Sequence, residues 1–320
     1  MEGSPRMSPP PPPPLGRSRK KDTQFFDSAL CDDELIDVRG QFGQGRWAKA
    51  RALLTATGDD WDRRGHRVVV LAETPTAVAW SREWLLAEPG SAEAATLLAC
   101  AQVFAALRGK GSADAAEQAC RAAAARVPTD PTPWLGLLLL HSALGPEEEF
   151  ARTFDQVRAR HRDHHHAHHL MVAKLAERAP ETGTDPLHEV YDFAAWAAEE
   201  SPADSPLAVL PVIAHAERYR VLAAAGAAPG AAEHWTGRRA RQVLRSAFDW
   251  WLEWEREDHP RNRIDLNFLA HAKLCEGRPA EAAALFHRIG RHATRAPWSY
   301  LDLDPHKAFM AARSAALGSA

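Results

Sequence analysis

Asn267–Gly290, NFLAHAKLCEGRPAEAAALFHRIG, decides the fold class. An apolar helix runs into a turn at Gly277, and an Ala-rich second helix follows. Leu269, Ala270, Ala282 and Phe286 fall at helical spacing on the two sides of that turn. Small residues such as Ala270 and Ala282 let helices approach closely, and large ones such as Leu269 and Phe286 fill the gap to a neighbour. A second copy lies at Pro131–Val157, PTPWLGLLLLHSALGPEEEFARTFDQV, with Trp134, Leu137, Leu138, Gly145 and Phe154 in equivalent places. Looser copies follow the same offsets. Residues 32–54 put Gly45 at a turn before Ala50 and Leu54. Residues 94–128 widen the turn at Gly109 to Ser112 and end at Pro128. Residues 167–202 have a long turn from Pro180 to Pro186 and end at Pro202, and residues 205–260 carry an overlong second helix closed by Pro260.

A large residue, a small residue, a turn glycine, an alanine and an aromatic at fixed offsets resemble the tetratricopeptide repeat (TPR), of about 34 residues per unit. The resemblance covers most of residues 30 to 295. It departs from the family in the middle of the first helix, where His141 and Lys273 replace the usual aromatic. It implies an all-α, right-handed α-solenoid of about six helical hairpins over residues 29–320, behind a disordered, proline-rich and basic arm at residues 1–28. The one β-like run, Arg67–Glu73 (RVVVLAE), has charged or helix-like flanks and reads as buried helix.

The arm carries six consecutive prolines, Pro9 to Pro14, ending on Arg17, Arg19, Lys20 and Lys21. Such a run favours an extended polyproline helix and acts as a spacer. It has no apolar core of the kind a signal peptide or membrane span needs. Cys31, Cys100, Cys120 and Cys275 lie far apart without paired spacing, as expected of reduced thiols in a cytoplasmic protein. A formal net charge of −3 gives no electrostatic footprint for nucleic acid. Arg238, Arg239, Arg241 and Arg245 read as a solvated helix face. The Ala, Arg and Gly bias resembles coding from a high-GC actinobacterium.

Residues 161–170, HRDHHHAHHL, crowd His161, His164, His165, His166, His168 and His169 into the break before a helix. His165 with His168, or with His169, shares a helical face and could reach one metal ion. No His-Glu-x-x-His signature and no third ligand accompany them, so no metal or other cofactor is expected. Asp32, Asp33 and Asp37 echo an aspartate-rich magnesium motif, but no second metal motif follows, and acidic residues suit a helix start. Leu244, Phe248 and Trp251 form one stripe on a long helix, broadened by Trp250 and Trp254. There is no nucleophile triad, phosphate loop, dinucleotide fingerprint or Cys-x-x-Cys pair.

The TPR resemblance places His166 and His169, His215, Arg218 and Tyr219, and Asn267 and His271 on the concave wall of the solenoid. The expectation is a non-catalytic scaffold or adaptor that binds a protein or peptide along this track, with no membrane or nucleic-acid partner. The alternative is an all-α enzyme or metal-dependent sensor centred on His161–His169.

Overall fold

Side-chain caps and left-handed glycines punctuate the chain into helices. The computed structural model describes residues 26–179, 188–226, 231–254, 258–300 and 303–318. Among these the regular structure is helical, with 16 α-helices and no strand. The first four are α1 (Asp33–Phe42), α2 (Trp47–Thr57), α3 (Trp61–Ala72) and α4 (Ala77–Ala87). Next come α5 (Ala92–Leu107), α6 (Ala113–Arg126), α7 (Thr132–Leu144) and α8 (Glu147–Arg158). After these lie α9 (His165–Ala176), α10 (Glu189–Glu200), a 3-10 turn (Pro206–Val209), α11 (Leu210–Ala224) and the short α12 (Ala231–Thr236). The chain closes with α13 (Arg238–Trp254), α14 (Asn262–Cys275), α15 (Pro279–Ile289) and α16 (Pro305–Gly318).

Asp32, Ser91 and Ser112 cap α1, α5 and α6 by accepting from Leu35 N at 3.0 Å, Ala94 N at 3.1 Å and Ala115 N at 3.3 Å. Gly45, Gly109 and Gly277 turn the chain with φ of 88°, 68° and 82°, conformations that favour a residue without Cβ. Arg67–Glu73 is helical as expected, and Val68 to Leu71 are buried in α3. The aspartate-rich start also serves the helix, since Asp32 both caps α1 and binds the Arg67 guanidinium at 2.7 Å. The long turn expected at Pro180 to Pro186 and the proline arm up to residue 25 lie outside the described residues. Within the span assigned to the arm, Asp27 binds Arg39 through both carboxylate oxygens.

Each helix packs on its successor, and the alternate helices α3, α5, α7, α9, α11 and α14 pack on one another in that order. This inner row bends back on itself, because α3 also touches α7 and α9. Ahead of α14, Asp258 accepts through its backbone oxygen from Arg63 of α3. Beyond the six segments read from sequence there is another pair, α3 with α4. Its pattern is hidden because α3 turns Arg64, His66 and Arg67 inward as well as valines. Arg64 is matched there by Asp130 at 3.0 Å and Arg67 by Asp32, so the buried charges are paired. The stripe on α13 faces inward at Leu244 and Trp251, whereas Trp254 is substantially exposed. No described helix is long and apolar enough to cross a membrane.

Small residues set the spacing of the inner row. A Cβ at Gly136 of α7 would stand 2.8 Å from the Cys100 sulfur of α5 and 3.5 Å from the Cys120 sulfur of α6. Alanine is a better helix former than glycine by about 1 kcal/mol, yet overpacking a filled core costs about 1–3 kcal/mol. Gly136→Ala is therefore expected to destabilise the protein in urea unfolding, and Cys100→Ala, which removes the obstructing sulfur, to restore part of the loss when combined with it. Equal destabilisation in the single and double variants, measured against Cys100→Ala alone, would refute this account of the packing.

Candidate functional site

The histidine-rich turn enters α9 against the start of α3. His164 occupies the N-cap, where its Nδ1 accepts from Ala167 N at 3.5 Å. The first backbone N–H of the helix, on His165, donates to Asp62 Oδ1 at 3.0 Å. A carboxylate at a helix N-terminus is favoured by the exposed N–H groups there. Asp62 Oδ2 also takes His161 Nε2 at 3.1 Å, and His259 Nε2 stands 3.6 Å away.

One helical turn deeper a second carboxylate meets the same helix. His165 and His169 lie four residues apart, so their rings stack on one face of α9 with centroids 4.1 Å apart. Both present Nε2 to Asp265 of α14: His165 at 2.8 Å from Oδ2 and His169 at 3.2 Å from Oδ1. His165 thus joins the two carboxylates, its backbone holding Asp62 and its ring holding Asp265. The His259 ring lies 4.6 Å from the His165 ring and completes the cluster.

Asp62, His161, His259 and Asp265 all reach the wall of a cavity of about 310 Å³. Its apolar lining comes from Trp61, Trp250, Trp251, Val209, Leu266 and Leu269. Burial would raise the Asp62 carboxyl, but His164, His161 and His259 around it hold it well below the ordinary carboxylate range. Burial acts the same way on Asp265, and His165 beside it prevails, keeping it ionised. His161 moves in the opposite sense: burial lowers it, yet the Asp62 hydrogen bond and charge leave it raised. The site therefore combines fixed negative charge, an imidazole that readily carries a proton, and apolar walls.

The residues expected on a concave track lie on the inner helices α9, α11 and α14 as anticipated, but neighbouring helices cover most of them. His166 is buried. His215 is enclosed by Tyr191, His234 and Trp235, with ring centroids at 4.5, 5.5 and 6.2 Å. Arg218 donates to the Ala176 and Arg178 carbonyls at the end of α9, at 2.7 and 3.2 Å. Tyr219 is buried beside His234, at 5.0 Å. His271 is partly buried between Trp235 and Trp298. Asn267 is fully buried, donating to the Arg263 and His292 carbonyls at 2.7 and 3.0 Å and accepting from Trp298 Nε1 at 2.7 Å. Only His169 of the seven belongs to the carboxylate cluster by direct contact. Asp62, Asp265 and His259 went unread in the sequence. The available signal was an aspartate between two apolar residues of a helix, Asp265 in RIDLNFLAHA.

No protein-family model matches the chain, and no curated protein matches it.

Burial pushes His66, His165 and His215 down to about 3, and His164, His168 and His271 to about 4. Unfolding returns each to about 6.5. Between these limits the unfolded chain binds more protons than the folded one, so stability is lost as pH falls through 6.5. Each such group contributes up to about 1.4 kcal/mol per pH unit, offset in part by the raised His161. Urea unfolding free energy is expected to be level above pH 7 and to drop by on the order of 5 kcal/mol by pH 5.5. A profile that stays level down to pH 5 would show that these imidazoles are not held neutral.

Proposed function

We propose that the cavity lined by α3, the 3-10 turn, α13 and α14 is the working site of an all-α enzyme or ligand sensor for a small organic molecule. One observation carries this reading: His161 and the ionised Asp62, 3.1 Å apart, stand together on the wall of a cavity lined by both apolar and acidic side chains. A pocket of this size that joins apolar walls to convergent polar groups is a usual setting for a small ligand. A carboxylate that fixes the tautomer and raises the basicity of an imidazole equips it to take and return a proton near neutral pH. In this reading Asp62 positions His161, His161 moves the proton, and Trp61, Trp250 and Trp251 hold the apolar part of the ligand.

Thermal unfolding with a panel of small molecules tests the reading. A ligand at a hundredfold excess over its Kd stabilises by about 2.7 kcal/mol, a rise in Tm of about 4 °C for a chain of this size. Leu269→Trp, which fills the cavity, should abolish the rise, and His161→Asn should change its pH dependence. A ligand shift that survives Leu269→Trp would sink the assignment.

The packing of each helix on its successor favours a second reading, a TPR-like right-handed stack serving as a scaffold for a protein or peptide. Its partner then meets outward side chains such as Trp196, Leu252 and Trp254, which are 39–55% exposed. A partner lost on Trp254→Glu and retained on Leu269→Trp would favour the scaffold.

A further inference from the structure

We propose that His165, His169 and Asp265 bind one divalent first-row transition-metal ion, of the zinc class, with its open coordination position toward the cavity. The inference deepens the reading of the cavity as a small-molecule site and rests on that reading for the ion's role, though the ion's binding can be tested by itself.

Three observations carry it. The first is convergence: one ring nitrogen of His165, one of His169 and a carboxylate oxygen of Asp265 all lie within 4.8 Å of one another. Two imidazoles four residues apart on one helix, with a carboxylate from another, make a common three-ligand arrangement for a metal that keeps an open site. Metal–ligand bonds of about 2.0–2.2 Å in a tetrahedron put neighbouring donor atoms about 3.3 Å apart. His169 Nε2 stands 3.2 Å from Oδ1, close to that spacing, while His165 Nε2 lies 2.8 Å from the other oxygen of the same carboxylate, Oδ2.

The second observation is an oxygen without a donor. Asp265 is 4% exposed, and His165 donates to its Oδ2. Its Oδ1 is buried and stands 3.2 Å from His169 Nε2, but without the alignment of a hydrogen bond, so it has no donor among the described residues. A buried, ionised oxygen left in that state is destabilising, because nothing replaces its lost hydration. A cation between Oδ1 and the imidazoles removes the deficit. If His169 and Asp265 served only to pack the helices, an aligned N–H would be the cheaper arrangement.

The third is charge. Asp59, Asp60, Asp62, Asp258 and Asp265 line the cavity, with Arg63 the only arginine or lysine among its described lining residues. Arg63 is engaged by Asp60 at 2.9 Å. Arg261 acts on Asp62 and Asp265 and supplies one further positive charge. The acidic excess suits a divalent ion. Asp62 is suitably placed to support it, since it fixes the His165 backbone and lies beside His259.

The test uses the full untagged chain after chelation and dialysis, with zinc as the probe in calorimetry and cobalt(II) in absorption spectroscopy. One equivalent of zinc at submicromolar Kd is expected, together with a visible cobalt band of low-symmetry, four- or five-coordinate type. His169→Ala, a partly exposed position that keeps the helix, should weaken zinc at least 100-fold with circular dichroism unchanged. Asp265→Asn should do the same where it folds. His161→Ala, outside the trio but inside the histidine-rich turn, should leave affinity within threefold. No stoichiometric binding, or native affinity in His169→Ala, overturns the proposal. So does a loss in His161→Ala as large as in His169→Ala, which marks adventitious binding by the turn. If the chelated chain still binds an organic ligand in the cavity but no zinc, the metal falls and the site reading stands. Stoichiometric zinc lost in His169→Ala, together with organic-ligand binding indifferent to Leu269→Trp, upholds the metal and removes the small-molecule reading of the cavity.

Discussion

Two carboxylates, Asp265 buried and Asp62 half-buried, must be compensated where the fold puts them, and the helix that compensates both is α9. A buried ion that loses its partner costs several kcal/mol, so Asp62 and Asp265 each demand a donor in a fixed place. His165 answers with its backbone N–H to Asp62 and its ring to Asp265. The consequence is long-range: α3, near the start of the chain, and α14, near its end, are held to the middle by one residue. An open row of helices could not satisfy both contacts, and the inner row curls until α3 meets α9. The expected open wall is closed for this reason, with His166, His215, Arg218 and Asn267 inside the protein.

That closure depends on what is missing as much as on what is present. Gly65 of α3 faces His164 and Leu135. A Cβ there would stand 3.1 Å from Leu135 Cδ2 and 3.4 Å from His164 Nε2. Because Gly65 lies three residues after Asp62, one helical turn away, its lack of a side chain lets α3 come close enough for Asp62 to reach the N-terminus of α9. Gly136 has the same effect between α7 and the two sulfurs of α5 and α6. The spacing of helices that is set by glycine and alanine thus becomes, a turn further on, the spacing of histidines and carboxylates.

Local elements were legible because their causes are local. Gly45, Gly109 and Gly277 announce turns, Asp32 announces a helix start, and Leu269, Ala270, Ala282 and Phe286 announce two faces that pack. The pair α3 and α4 was harder, because an inward face bearing Arg64, His66 and Arg67 does not look like a core. The site was half visible: the histidines at 161–169 were conspicuous, but their partners lie about a hundred residues away on each side, 103 for Asp62 and 100 for Asp265. Periodicity tells which face of a helix a residue shares. It does not tell what that face meets, and His166, His215 and His271 were therefore read as lining a groove when their neighbours in space are Arg261, Trp235 and Trp298.

The choice of histidine for so many interior positions narrows what the cluster can be. A packing role alone is filled more stably by leucine or phenylalanine, which lose nothing in acid, whereas each buried imidazole ties stability to its remaining neutral. A charge-balancing role alone is filled by arginine, as Arg64 and Arg67 do for Asp130 and Asp32 within α3. Around Asp62 and Asp265 the fold uses arginine only in part. It sets two negative charges against Arg261 and surrounds them with imidazoles, leaving compensation incomplete and placing the shortfall at the edge of a cavity with tryptophan walls. An incomplete balance of this kind is costly in a core and useful in a site, where an entering proton, ion or ligand completes it. The same turn that makes α9 possible, with Asp62 at its first N–H, also fixes where that entering group must sit.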